Sequence, residues 1–78
     1  MNRTEFIKYI ESIGFVGTND IRYEYDNNDL KIFIRILLIS NTYKFKIGNK
    51  WSLGRTSFDD VSIIINTIRR NKLKQLLK

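Results

Sequence analysis

Residues 21–47 read IRYEYDNNDLKIFIRILLISNTYKFKI, and this stretch decides the fold. Ile21, Tyr23 and Tyr25 alternate with Arg22, Glu24 and Asp26, the period-two pattern of a strand with one face buried. Asn27-Asn28-Asp29 then supplies residue types that tolerate the positive φ of a tight turn. Residues 30–39 form the longest expected strand. Leu30, Ile32, Ile34, Ile36 and Leu38 share one of its faces, while Lys31, Phe33, Arg35, Leu37 and Ile39 share the other. Its far end is therefore expected to be buried on both sides. Ser40-Asn41 turns the chain into a third strand, where Tyr43, Phe45 and Ile47 alternate with Thr42, Lys44 and Lys46.

Outward from this meander, both flanks read as helix. Over residues 3–13, Phe6, Ile7, Ile10 and Ile13 recur at helical spacing, with Glu5, Lys8, Glu11 and Ser12 elsewhere on the wheel. Asn2 with Glu5 three residues on makes a capping box, and Gly14-Phe15 carries the glycine stop and hydrophobic contact of a Schellman motif. Residues 16–20 read as a loop. After the third strand, Gly48-Asn49 is a hairpin signal leading to a short strand over residues 50–53, with Trp51 and Leu53 expected inward. Ser57-Phe58-Asp59-Asp60 reads as a second capping box. It would start a helix whose inward stripe is Phe58, Val61, Ile64, Ile65, Ile68 and Leu76, with acids in the first turn and bases in the last. The expected fold is a single α+β domain spanning residues 1–78. A three- to four-stranded antiparallel meander carries the N- and C-terminal helices on one face, in the order α-β-β-β-(β)-α.

Charge is distributed unevenly along this frame. Residues 1–40 carry five Lys/Arg against six Asp/Glu, and residues 41–78 carry nine against two, so −1 and +7 make the net +6. Five of the last ten residues are basic and none is acidic. A one-sided positive field selects polyanions or acidic protein surfaces as partners.

Composition removes several function classes. Cysteine and histidine are both absent, which eliminates disulfides, thiolate metal sites and the commonest general base and metal ligand. Gly48 and Gly54 are too sparse and wrongly spaced for a phosphate loop. The acid pairs Asp59/Asp60 and Asp26/Asp29 fall where capping and turn chemistry already account for them. No catalytic residue, metal or cofactor is therefore expected, nor a small-molecule substrate. No apolar run approaches the ~18 residues of a membrane span, and no signal-peptide core opens the chain. The expectation is a soluble, cytoplasmic protein without membrane contact. Alanine and proline are missing, while isoleucine occurs 13 times and asparagine and lysine 8 times each. Residues with A/T-rich codons have replaced those with G/C-rich codons, as in a low-GC bacterium, its phage or another mobile element.

Three surfaces are candidates for contact. The sheet face opposite the helices would present Arg22, Lys31, Arg35, Lys44 and Lys46 around Phe33, with only Glu24 opposing. That chemistry suits phosphates and a stacked base, though a solvated strand face also carries charge, often lysine. On the last helix, Arg70, Lys74 and Lys78 fall on one side at i, i+4 and i+8, with Arg69 nearby. Such a rail could track a phosphate backbone or an acidic groove, beyond what helix capping requires. Lys72 interrupts the apolar stripe: either its stem snorkels or the helix has left the sheet by that point. Leu73, Leu76 and Leu77 make the last two turns apolar on more than one side. They either fold back onto the first helix or dock on a protein, a homodimer through this helix included. Trp51 is expected in the core or at its edge.

The order α-β-β-β-α resembles that of double-stranded-RNA-binding domains and of small mRNA-interferase toxins, and residues 10–15 (IESIGF) look like the first helix of the toxins. The toxins' catalytic histidine has no counterpart here, and Phe58-Asp59-Asp60 replaces the lysine-rich start of the second helix in the RNA-binding domains. No family is assigned. The expected function is a non-enzymatic binding module whose basic half contacts nucleic acid or a nucleoprotein. The alternative is a phage or mobile-element protein that inhibits a host defence enzyme by direct protein–protein binding.

Overall fold

The computed structural model describes residues 1–27, 29–38 and 41–77. In chain order the elements are α1 (Arg3–Ser12), β1 (Val16–Asn19), β2 (Arg22–Asn27), β3 (Leu30–Leu37), β4 (Thr42–Ile47), β5 (Lys50–Trp51), β6 (Thr56–Ser57) and α2 (Ser62–Leu76). All strand pairings are antiparallel. The sheet runs β1-β2-β3-β4-β5, and β6 shares the outer edge of β4 with β5.

The alternation of residues 21–47 produces the ladder it implies. Tyr23 stands opposite Ile34, which stands opposite Phe45; Tyr25 faces Ile32, and Ile36 faces Tyr43. All seven side chains are buried on one face, together with Phe6 and Ile10 of α1, Phe15, Phe58, and Ile64 and Ile68 of α2. Both helices therefore pack on the same side of the sheet. Phe6 is the pivot: its ring stacks on Phe58 at 4.4 Å and lies 4.8 Å from Tyr43, joining α1, the approach to α2 and β4. The buried Tyr43 hydroxyl donates to the Asp60 carbonyl at 2.6 Å.

The cap chemistry of α1 is complete. Asn2 Oδ1 accepts from the Glu5 N–H and Glu5 Oε1 accepts from the Asn2 N–H, closing the capping box. At the other end, Phe15 N–H donates to the Ile10 carbonyl and Gly14 N–H to that of Glu11, the paired bonds of a Schellman motif. Gly14 takes φ +113°, where an added Cβ would also meet the Tyr25 ring at 3.1 Å.

Several expectations are corrected. Residues 16–20 are not a loop: Val16–Asn19 pairs with β2 as an edge strand, bulged between Gly17 and Asn19. Short exposed strands carry no burial alternation, so periodicity could not reveal it. The far end of β3 is not buried on both sides, since Leu37 is half-buried and Leu38 is exposed. Asn28, Ile39 and Ser40, expected in turns and at the end of the long strand, lie outside the described residues, while Asn41 holds φ 50° as its turn requires. Trp51 and Leu53 do not point inward: they are 46% and 96% exposed. The second capping box does not form. Ser57 Oγ accepts from the Asp59 N–H and Asp60 Oδ1 from the Ser62 N–H, so these side chains build a turn. The helix begins only at Ser62, without a side-chain cap and without an acid in its first turn. Phe58 is buried but precedes the helix.

The expected inward stripe of α2 holds through Val61, Ile64, Ile65 and Ile68 and fails at Leu76. The sheet-facing line runs Ile64, Ile68, Asn71 and Gln75, buried for the first pair and half-buried for the second. Leu76, expected inward, is 80% exposed. Leu73 and Leu77 do not fold onto α1 but stand exposed at 58% and 87%. Lys72 is exposed because it lies off the line through Ile68, Asn71 and Gln75.

Candidate nucleic-acid interface on the open face of the sheet

Directly opposite residues of an antiparallel ladder lie on the same face, so register determines what the uncovered side presents. One row reads Val16, Glu24, Phe33, Lys46, Trp51 across β1 to β5. The adjacent row, two residues or roughly 7 Å along the strands, reads Arg22, Arg35, Lys44. Beyond the first row, Asp26 faces Lys31 with Lys31 Nζ 3.9 Å from Asp26 Oδ2.

The two basic regions of this face differ in electrostatics. Lys31 has its own carboxylate beside it. Among the described residues no carboxylate pairs with Arg22, Arg35 or Lys44, although each faces a like charge across the ladder. Like charges placed directly opposite destabilise a sheet. Three in succession are a cost that folding alone does not require.

Between the rows lies a shallow groove of about 220 Å³, lined by Arg22, Glu24, Phe33, Arg35, Lys46 and Trp51 among others. Lys46 bridges its two rings, with Nζ 5.6 Å from the centre of Phe33 and 5.9 Å from that of Trp51. Cation–π contacts at exposed sites contribute about 0.5–1 kcal/mol each, so the ammonium is held loosely. A hydrogen-bond acceptor (Glu24), two aromatic faces and cations on neighbouring strands thus open onto one groove. That set can bind phosphates and stack a planar base.

The sequence-derived candidates divide between two sides of the molecule. Arg22, Phe33, Arg35, Lys44 and Lys46 come together on the open face, with Lys31 at its margin beside Asp26. The expectation that Glu24 alone opposes the cations there is corrected by Asp26. Arg69, Arg70 and Lys74 belong to α2, in the helix layer on the other face. Arg70 and Lys74 line a separate cleft of about 380 Å³ with Asp29, Leu30, Thr67, Asn71 and Gln75. Lys78 lies outside the described residues. The basic rail and the basic sheet face are therefore two surfaces. Leu73, Leu76 and Leu77 form an exposed apolar tip beside the rail.

Two contributors to the sites escaped the reading of the sequence. Trp51 had a usable signal: a two-residue Gly48-Asn49 loop pairs Ile47 with Lys50 and hence Lys46 with Trp51, on whichever face Lys46 occupies. Gly48 has the positive φ that such a loop needs, at +62°. Arg55 had none. It reaches a third groove, with Ile21, Arg35, Leu37 and Leu38, through an irregular segment that no periodicity describes. Among the described residues no group of three or more His, Cys, Asp or Glu side chains could hold a metal ion, and no helix is long and apolar enough to cross a membrane. No protein-family model, curated protein or solved structure matches this chain.

Proposed function

We propose that this protein is a non-enzymatic nucleic-acid-binding module whose contact surface is the open face of the sheet. The observation that carries this reading is the uncompensated row Arg22–Arg35–Lys44 beside the Phe33–Lys46–Trp51 row. Mutual repulsion within the cation row is relieved when phosphates bind, and the released counterions drive association. The +7 balance of residues 41–78 adds long-range attraction. A mobility-shift titration at two salt concentrations tests the reading. If Arg22, Arg35, Lys44 and Lys46 each neutralise a phosphate, log Kd changes with log salt with a slope of about 3. Failure to bind DNA or RNA at low salt would exclude it.

A second reading rests on a different observation, the exposed Leu73, Leu76 and Leu77 at the end of α2. Leucines beside cations suit a protein partner with an apolar cleft and an acidic rim, and the A/T-rich residue signature suits a mobile element inhibiting a host enzyme. A partner retained on the protein after nuclease treatment of a host lysate, and lost on Leu76→Ser, supports this reading. Loss of every partner with the nucleic acid leaves the first.

A further inference from the structure

Resting on the nucleic-acid reading, we infer that the open-face groove takes a single unpaired base and that Glu24 selects guanine. Phe33 is half-buried at the surface of the sheet, and 46% of Trp51 is accessible. The bases of a duplex are stacked on one another and cannot offer their faces to these rings, whereas those of a single strand can. The groove, of about 220 Å³, has room for a base beside these rings. The cation row lies roughly 7 Å from the aromatic row, within the reach of one nucleotide from its phosphate through the sugar to its base.

Lys46 now occupies the space over Phe33. Base–aromatic stacking contributes more per base than an exposed cation–π contact, so a base displaces the ammonium towards its own phosphate. With a base on Phe33, the group directly across on β2 is Glu24, while Lys46 stands opposite on β4. Opposed side chains start about 5 Å apart at Cβ, which brings the carboxylate to the rim of the base. Among the described residues Glu24 has no ion-pair partner despite the cations around it. A carboxylate is acceptor-only with two oxygens. Guanine alone among the bases presents two adjacent donors on its Watson–Crick edge, N1–H and the 2-amino group. Cytosine and adenine offer one amino group beside an acceptor nitrogen, and thymine flanks its single N–H with two carbonyls.

The test is fluorescence anisotropy with the full chain and short single strands. An oligothymidine carrying single guanines should bind about ten-fold more tightly than plain oligothymidine. Replacing those guanines with inosine, which removes only the 2-amino group, should abolish most of that preference. Glu24→Gln should bring the guanine and thymine strands to within about two-fold while leaving the salt slope unchanged, since no phosphate contact is lost. Equal binding of all strands by the wild-type protein, a preference surviving in Glu24→Gln, or inosine matching guanine would overturn the role of Glu24. Tighter binding of a duplex would overturn the single-base site. In each of those results the broader nucleic-acid reading survives, whereas no binding of any strand at low salt removes both.

Discussion

Arg22 and Arg35 stand directly opposite each other across the β2–β3 ladder, and Lys44 continues the row on β4. Side chains in such register interact as a unit, so this row is a place where folding and binding pull in opposite directions. Replacing Arg35 with threonine removes the central cation and keeps a residue suited to strands. Stability should hold or rise, by up to about 0.5 kcal/mol in urea denaturation. Nucleic-acid affinity should fall, with the salt slope reduced by about 1. A variant less stable by more than about 1 kcal/mol would show that the guanidinium serves the fold.

Tyr43 ties the sheet to the turn before α2. Burial, and secondarily the nearby Asp60, hold its hydroxyl well above the ordinary tyrosine value of 10.0, and burial raises Tyr23 in the same sense. The folded protein therefore keeps these protons more tightly than the unfolded chain. Stability from this source is complete below pH 10.0, where both states are protonated, and declines as pH rises beyond it. Tyr43→Phe should cost about 1 kcal/mol at neutral pH through the lost bond to the Asp60 carbonyl. It should also flatten the alkaline limb of a stability–pH profile. An unchanged alkaline limb would mean that Tyr43 is not its source.

Gly14 is required by conformation and by space together. Alanine there would meet both the unfavourable φ of +113° and the Tyr25 ring 3.1 Å from its Cβ. The expected cost is about 2 kcal/mol. In a domain of this size that lowers the melting temperature by roughly 10 °C, measurable by circular dichroism. A shift under a few degrees would mean that the Schellman turn relaxes into another cap.

The two halves of α2 should respond differently to substitution. Ile68 is buried against the sheet, and Ile68→Ala should destabilise by about 3 kcal/mol. Leu76 is exposed two turns later, and Leu76→Ser should change stability by no more than about 0.5 kcal/mol. Equilibrium urea unfolding of the two variants separates them. A large loss from Leu76→Ser would indicate that the tip is covered in solution.

The sequence by itself determined the three-strand meander, both helices and the buried residues of those three strands, Tyr23, Tyr25, Ile32, Ile34, Ile36, Tyr43 and Phe45. A period of two over residues 21–47 admits only one choice of inner face, and the Asn2/Glu5 and Gly14/Phe15 signatures mark α1 through contacts within a few residues of each other. It also placed Arg22, Phe33, Arg35, Lys44 and Lys46 on one surface, because alternation sends them all to the side away from the core. What it left open depends on longer-range geometry. Leu76 reads as inward because it is apolar and falls three turns after Ile65, and only docking against the sheet shows that the line through Ile64 and Ile68 continues to the polar Asn71 and Gln75. Ser57 and Asp60 have the composition of a cap, yet pairing of Thr56–Ser57 with β4 holds them in a turn, and the helix starts later. The separation of the sheet cations from the α2 rail is likewise a tertiary property. Net charge is a sum along the chain, while a binding surface depends on which side of the sheet each charge occupies, and the packing of Phe6 on Phe58 and Tyr43 settles that by burying one face.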